Sequence, residues 1–180
     1  MNYRKEEIKD FLEISALDRN AWKENNNSEF IPDGEHAWRL WVEHALVYCA
    51  MNDNGEIVGA ILSFPSIDNI HCVHKVFVSR TYRGKGVGST LFGELLGKID
   101  DIGVDCFLTV DPTNYNAIKL YEKWGFCDRK FVKGYYRGNE DRFVMTRHSK
   151  KPTQDSPLHK IARHPRSSPT ISKMNISMIR

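Results

Sequence analysis

The order of apolar and polar positions along the chain predicts seven strands and four helices. Runs rich in β-branched and aromatic residues, bounded by turn residues, predict strands at 2–4, 46–51, 56–64, 70–78, 106–110, 126–131 and 142–147. Apolar residues three or four positions apart predict helices at roughly 5–20, 34–45, 87–99 and 114–124. We therefore expect a mixed α/β architecture in which helices connect and cover the strands of one sheet.

Local signals support several of these elements. The dipeptide Asn54-Gly55 separates the second and third strands and strongly favours a hairpin there. The last two strands should close the sheet as an antiparallel pair. The first two helices each carry a set of apolar residues expected to face the core: Ile8, Phe11, Leu12, Ile14, Leu17 and Trp22 on or after the first, and Trp38, Leu40 and Trp41 on the second.

The most informative stretch is a basic, glycine-dense turn between the fourth strand and the third helix. It reads Arg83-Gly84-Lys85-Gly86-Val87-Gly88-Ser89. A strand, a glycine turn and a helix start aim free backbone N–H groups and the positive end of a helix dipole at one point, which suits a phosphate. Glycines also let a ligand approach the backbone without meeting a Cβ.

Two familiar phosphate motifs do not fit this turn. The Rossmann fingerprint requires a third glycine where Ser89 stands, and the Gly-Lys-Ser/Thr of a P-loop is absent. A second block follows about thirty residues later, where Asn114, Ala117, Tyr121 and Gly125 are spaced to share one face of a helix. Asn114 is placed to cap the start of this helix, and Gly125 to end it in a left-handed conformation.

Together the two blocks resemble the GNAT superfamily of acetyl-CoA-dependent N-acetyltransferases. The turn matches the superfamily's Arg83-x-x-Gly86-x-Gly88 signature, and the Asn114 to Phe126 block matches a later motif. The resemblance implies a central, mostly antiparallel sheet that splays between strands 4 and 5, where the pantetheine arm of acetyl-CoA lies. The residues it assigns to acetyl-CoA are Val76, Phe77, Val78, Arg83, Gly84, Lys85, Gly86, Val87, Gly88, Ser89, Asn114 and Tyr121.

The resemblance places a general acid at Tyr121, which would donate a hydrogen bond to the departing thiolate. The alternative is that Tyr121 is a core residue whose ring only fills the space between helix and sheet. Asn114 is expected to bind the cofactor arm, and its capping role is compatible with that.

The general base is less well defined. In pattern the segment 108–114 is nearest to the ribosomal-protein and other protein N-terminal acetyltransferases, which commonly have a glutamate where Thr109 stands. His71 and His74 remain as bases acting through water, and His74 lies nearer the cofactor. The loop containing Tyr135, Tyr136 and Glu140 also resembles acceptor-binding loops of that subgroup, or is simply an exposed hairpin loop.

The acceptor decides how much a base matters. Neutralising a lysine-like amine with a pKa near 10.4 at pH 7 costs about 4.6 kcal/mol, whereas an α-amino group near 7.8 costs only about 1 kcal/mol. None of the four cysteines is placed by a motif as an acyl carrier. We therefore expect the amine to attack acetyl-CoA directly in a ternary complex.

Composition limits the other classes of function. The 180 residues, 41% hydrophobic and 27% charged, suit one globular domain over residues 1–147, and the four cysteines have no metal-ligand spacing. We expect no bound metal. We also expect no signal peptide and no membrane span, and therefore a cytoplasmic protein. The expected oligomeric state is a monomer or homodimer.

The net charge of +3 is unevenly placed. Residues 148–180 hold seven Lys or Arg and one Asp, which is +6, so residues 1–147 carry −3. This basic tail, which also holds four of the seven prolines, is expected to be disordered. If the protein binds nucleic acid, we expect it to do so only through this tail. The alternative interpretation is that the tail is a solvated extension.

The expected function is acetyl transfer to a primary amine of a protein N-terminus, a lysine or a small molecule. Two alternatives are a non-catalytic acyl-CoA sensor, which the threonine at 109 favours, and a nucleic-acid-associated protein that uses its basic tail.

Overall fold

The computed structural model describes residues 1–24 and 33–150, and they form one seven-stranded sheet covered by helices on both faces. The strands are β1 (Asn2–Lys5), β2 (Leu46–Met51), β3 (Ile57–Pro65), β4 (His71–Val78), β5 (Cys106–Val110), β6 (Asp128–Val132) and β7 (Arg142–Arg147). The helices are α1 (Phe11–Lys23), α2 (Glu35–His44), α3 (Val87–Ile102) and α4 (Tyr115–Lys123). Short 3₁₀ turns lie at Ile8–Asp10 and Arg80–Tyr82.

The sheet has the order β1-β2-β3-β4-β5-β7-β6. Its neighbouring strands are antiparallel except β4 and β5, which are parallel. That parallel pairing covers only His71 with Cys106 and Cys72 with Phe107, so the two strands separate beyond it. The predicted mixed sheet, splayed between its fourth and fifth strands, is confirmed.

The sheet lies between two apolar cores. On one face α3 and α4 contribute Leu91, Phe92 and Ile118 to a core that also contains Phe126. On the other face α1 and α2 contribute Ile14, Trp38 and Val42. Burying side chains of this size removes apolar surface from water on both faces, which stabilises the sheet between its two helical layers.

Helix α1 begins later than the sequence predicts. The Asp10 carboxylate accepts a hydrogen bond from the backbone N–H of Glu7 at 2.7 Å and pairs with Arg4 at 2.7 Å, so a 3₁₀ turn precedes the helix. The expectation that Ile8 and Leu12 face the core was wrong, because the shifted helix leaves each 51% exposed. Leu40 of α2, also expected in the core, is 58% exposed.

The last strand is tied to α3 by a buried ion pair. Arg147, 3% exposed, donates to both carboxylate oxygens of Asp100 at 2.9 and 2.6 Å. The same carboxylate also accepts the backbone N–H of Lys150 at 3.0 Å. Burial disfavours a lone charge strongly, so this pair matters chiefly because either partner alone would remain buried and uncompensated.

Asp100→Ala should lower the free energy of unfolding by about 3–5 kcal/mol at pH 7, because Arg147 would be left buried and unpaired. The Arg147 guanidinium holds the pKa of Asp100 below its ordinary value of 3.8. A lowered carboxyl pKa stabilises the fold above the ordinary value, and this contribution disappears as the pH falls through the lowered pKa. Urea unfolding at pH 7 and pH 3 measures both effects.

The matched control is Glu94→Ala, which removes an exposed carboxylate from the same helix and should change stability by less than about 0.5 kcal/mol. Equal decreases in the free energy of unfolding for the two variants would show that the buried ion pair contributes no more to stability than an exposed carboxylate.

No helix among residues 1–24 and 33–150 is long and apolar enough to cross a membrane. Within the same residues no group of three or more His, Cys, Asp or Glu side chains is arranged to hold a metal ion. The predicted disorder and nucleic-acid binding of the tail fall, after Lys150, outside the described residues and stay predictions.

Candidate active site

A cavity of about 700 Å³ lies along β4, beyond its short pairing with β5, and ends at the glycine turn. Ten of the twelve residues assigned to acetyl-CoA line it: Val76, Phe77, Val78, Arg83, Gly84, Gly86, Val87, Gly88, Ser89 and Tyr121. Lys85 and Asn114 do not. Lys85 lies over the ring of Tyr82 at 5.2 Å, and Asn114 Oδ1 accepts the backbone N–H of Ala117 at 3.1 Å as the cap of α4.

The turn has the geometry of a phosphate cradle. Gly84 and Gly86 have φ angles of +74° and +82°, a region that side chains rarely adopt, and a Cβ at either would meet no atom within 4 Å. Helix α3 starts at Val87, and its first intrahelical bond runs from Thr90 N–H to Gly86 C=O. The N–H groups of residues 87–89 therefore have no partner within the helix, and these three residues line the cavity.

Strand β4 presents a free edge along the same cavity. Beyond Cys72 its side toward β5 has no strand partner, while its other side remains paired with β3. The β3–β4 register shifts between Leu62 and Ser63, which pair with Lys75 and Val73, so His74 is the extra residue of a bulge. A bulge bends its strand and increases the local twist, which here separates β4 from β5. This edge leaves backbone N–H and C=O groups of β4 without a strand partner.

A smaller cavity of about 270 Å³ adjoins the first. Tyr121 lines both, together with Val76, Phe77, Phe92 and Ala21. The Tyr121 ring packs against Phe92 with centroids 5.8 Å apart, and its hydroxyl has no hydrogen-bond partner among the described residues. Burial raises the pKa of Tyr121, so the phenol stays protonated at neutral pH and remains a donor.

His74 lies at the smaller cavity, on the side away from the glycine turn. Its ring packs against Trp41 and Phe64 with centroids 5.5 Å from each, and its Nε2 is 3.7 Å from Asp33 Oδ2. His71 is different. It is 8% exposed, its Nδ1 is 3.1 Å from Ser63 Oγ, and it lines neither cavity. Of the two histidines considered as bases, only His74 is brought near Tyr121.

Thr109 lines the smaller cavity opposite His74 and is held by the loop between β6 and β7. Its Oγ1 is 2.8 Å from the hydroxyl of Tyr136, and the Tyr136 ring lies under the Arg142 guanidinium at 5.1 Å. The loop between β6 and β7 therefore contacts β5 at Thr109, the position at which a carboxylate base was considered.

Comparison with known proteins agrees with this geometry. Residues 10–126 match the family model described as the acetyltransferase (GNAT) family.

The chain belongs to the GNAT family.

Two curated relatives are archaeal proteins named N-alpha-acetyltransferase. That of Sulfolobus acidocaldarius is 28% identical over 155 residues, covering 77% of this chain and 86% of the relative. That of Saccharolobus solfataricus is 32% identical over 130 residues, covering 62% and 77%. The crystal structure of the ribosomal-protein-S18-alanine N-acetyltransferase from Escherichia coli superposes with a TM-score of 0.71 at 21% identity, covering 86% of this chain and 97% of that one. This GNAT chain is therefore an acetyltransferase with the fold of its family.

Three of the four cysteines of this GNAT protein have raised pKa values. Burial raises the pKa of Cys49 and Cys72 to about 11 and that of Cys106 to about 12, whereas Cys127 is exposed. The nucleophile in thiol chemistry is the thiolate, so the three thiols with raised pKa values are poor acyl acceptors at neutral pH. None of the four lines either cavity, which supports direct attack by the amine.

Sequence reasoning missed the residues that α1 contributes to the site. Ala21 lines both cavities, and Asp18 and Trp22 line the smaller one. Asp18 lies between Ile14 and Trp22 at four-residue intervals, so it falls on the apolar stripe of the helix. A carboxylate at a core-facing position was the signal that could have identified it.

Arg83 is held by an acid that the sequence did not connect to it. Its Nε donates to the Val78 carbonyl at 2.9 Å, and one of its terminal nitrogens pairs with Glu24 Oε2 at 2.6 Å. Glu24 therefore competes with any anion for this arginine.

Glu24→Gln should strengthen acetyl-CoA binding about two- to fivefold, since a partly exposed ion pair that must be given up contributes up to about 1 kcal/mol. Calorimetric titration measures the change. Glu35→Gln is the control, because it removes the same charge from the comparable pair with Arg19 outside the cavities. Unchanged or weaker binding by the Glu24→Gln variant would mean that Arg83 does not meet the cofactor.

Proposed function

We propose that this protein transfers an acetyl group from acetyl-CoA to the α-amino group of a protein or peptide N-terminus. The observation that carries the proposal is the position of Tyr121. Tyr121 lines both the cavity that ends at the glycine turn and the smaller cavity, where Asp18, His74, Lys75 and Thr109 lie among apolar residues. A thioester held from the glycine turn along β4 would place its sulfur near the Tyr121 hydroxyl, with the second cavity left for an amine.

The cofactor is held by backbone and a few side chains of this chain. The N–H groups at the start of α3 and the positive end of its dipole bind the pyrophosphate. The free edge of β4, at residues 75–78, pairs with the amide groups of the pantetheine arm. Acetyl-CoA supplies the activated acetyl group as a thioester.

The reaction forms one C–N bond and breaks one C–S bond. The amine attacks the acetyl carbonyl directly, loses a proton, and coenzyme A leaves as a thiolate that takes up a proton. Tyr121 donates a hydrogen bond to the sulfur as negative charge develops on it. His74, oriented by Asp33, takes the amine proton through a water molecule.

Two features support an α-amine over a lysine side chain. Thr109 supplies a hydroxyl in place of a carboxylate base, and an α-amino group needs only about 1 kcal/mol to become neutral at pH 7, against about 4.6 kcal/mol for lysine. The curated relatives are also named for acetylation of α-amines. A site with a weak base is therefore best matched to the less basic acceptor.

The test is a panel of acceptors incubated with acetyl-CoA. It contains short peptides with free N-terminal Ser, Ala or Met, N-terminally blocked lysine peptides, polyamines and aminoglycosides. We expect amine-dependent release of coenzyme A with the free N-termini, and mass spectrometry should place the acetyl group on the α-nitrogen. Faster modification of the blocked lysine peptides would overturn the choice of acceptor. Tight acetyl-CoA binding without coenzyme A release for any amine would indicate a sensor instead.

A further inference from the structure

The smaller cavity is lined by two members of a charged cluster, Asp18 and Lys75, that the proposed mechanism does not use. Lys75 of β4 reaches across to α1 and to the residue before α2, with its Nζ 2.7 Å from Asp18 Oδ2 and 2.5 Å from Asp33 Oδ2. Two carboxylates surround one ammonium group, so the cluster has one more negative charge than positive. Its net negative charge lies beside Tyr121 and Thr109, at the end of the cleft away from the phosphate cradle.

Asp18 is the unusual member of this cluster. It is only 6% exposed, and a buried carboxylate is costly unless donors surround it. Trp38 Nε1, at 3.0 Å, and Lys75 Nζ both donate to its Oδ2. Among residues 1–24 and 33–150 no group donates to Oδ1. Oδ1 is also absent from the fully buried atoms that lack a partner, so it retains surface in the cavity that Asp18 lines.

This arrangement fixes the direction of the free oxygen. Trp38 is fully buried, and Lys75 is tied at its far side to Asp33, so neither donor can follow a rotation of the carboxylate. Two donors on one oxygen leave the second oxygen oriented and short of hydrogen bonds. Such a group binds an incoming N–H donor without first reorganising, which favours a cationic ligand over a neutral one.

We propose that Asp18 Oδ1 binds the amino group of the acceptor and that Asp18 is thereby a specificity-determining residue of this enzyme. The inference rests on the proposed function, because it takes the smaller cavity as the acceptor side. The acceptor arrives as an ammonium ion, and Asp18 anchors it between Tyr121 and Thr109 before it is deprotonated. Asp33 faces the same lysine but does not line the cavity, so it has no contact with the acceptor.

The test uses the full chain, acetyl-CoA, and the free N-terminal peptide of the panel with the highest turnover. Asp18→Asn keeps the shape of the side chain and removes its charge. It should raise the KM for the peptide at least tenfold, equivalent to about 1.4 kcal/mol, with the Kd for acetyl-CoA within twofold of wild type. Asp33→Asn is the matched comparison for KM, since it removes the same charge from the same lysine. It should lower kcat, because Asp33 orients His74, but change KM less than threefold.

A second measurement separates contact from structural support. The desamino analogue of the same peptide lacks only the amino group. Wild type should bind the peptide at least tenfold more tightly than this analogue, and the Asp18→Asn variant should bind the two about equally. The proposal would be overturned if the two asparagine substitutions raised KM for the peptide equally. Equal affinity of wild type for the peptide and its desamino analogue would overturn it as well.

These outcomes remain distinct from failure of the proposed function. If wild type acetylates no peptide N-terminus, the proposed function fails. If wild type acetylates the peptide but shows no preference over the desamino analogue, only the role of Asp18 fails. The comparison within wild type also keeps the test valid if Asp18→Asn does not fold.

Discussion

Gly86→Glu abolishes acetyl-CoA binding, and the protein still folds: this is the result we expect. Gly86 has a φ of +82° and precedes the first residue of α3 at the end of the larger cavity. A Cβ there meets no atom within 4 Å, so a glutamate side chain fits at this cavity-lining position without displacing the core. Its negative charge would occupy the point at which the free N–H groups of the turn meet a phosphate.

Backbone strain is a separate effect and needs its own control. A residue with a side chain in the left-handed region costs roughly 1–2 kcal/mol, whichever ligand is present. Gly55, in the β2–β3 turn, has the same φ of +82° and the same open surroundings. Gly55→Glu therefore carries the same strain and charge away from the cleft.

Calorimetric titration and a melting curve for both variants decide the matter. The Gly55→Glu variant should bind acetyl-CoA as wild type does, and the Gly86→Glu variant should show no measurable binding at a similar melting temperature. Wild-type affinity in a folded Gly86→Glu variant would remove the glycine turn from the cofactor site.

Tyr121→Phe should lower kcat about a hundred- to a thousandfold. The change keeps the ring, which packs on Phe92 and Phe126, and deletes one hydrogen-bond donor at the junction of the two cavities. Loss of a single donor of this kind in a preorganised site typically costs about 2.7–4 kcal/mol of barrier. The Kd for acetyl-CoA should be nearly unchanged, because the phosphate turn is untouched.

The control for this variant lies on the same helix. Tyr115 is 69% exposed and lines neither cavity, so Tyr115→Phe should leave turnover unchanged. Turnover is measured at saturating acetyl-CoA beside a melting curve. A Tyr121→Phe variant within about threefold of wild type, or roughly 0.7 kcal/mol of barrier, would show that Tyr121 only fills the core. Tyr136 would then be the next hydroxyl to test.

The elements that local patterns specify were predicted well from the sequence. Alternation and turn residues gave all seven strands within a few positions, and the Asn54-Gly55 turn joins β2 to β3 as expected. The glycine turn and the α4 block were also predictable, because neighbouring residues specify them through backbone conformation and helical spacing. Gly125, for example, has the predicted left-handed conformation, with a φ of +92°.

The contacts that complete the candidate site join residues far apart in the chain. Lys75 meets Asp18 across 57 positions, Arg83 meets Glu24 across 59, and Thr109 meets Tyr136 across 27. No periodicity or short motif encodes such pairs, because they depend on how α1 and the β6–β7 loop pack on the finished sheet. The later start of α1 has a different, local origin, since Asp10 is engaged by Arg4 six positions away and by the Glu7 N–H three positions away.

The burial of the cysteines offers a spectroscopic probe without any mutation. Three thiols have raised pKa values of about 11 to 12, so a maleimide dye at neutral pH should react at Cys127, the one exposed cysteine of the four. Cys127 follows Phe126, whose ring packs on Tyr121. A single fluorophore would thus report from the end of α4, beside the candidate acid, and its emission could follow ligand binding in the native sequence.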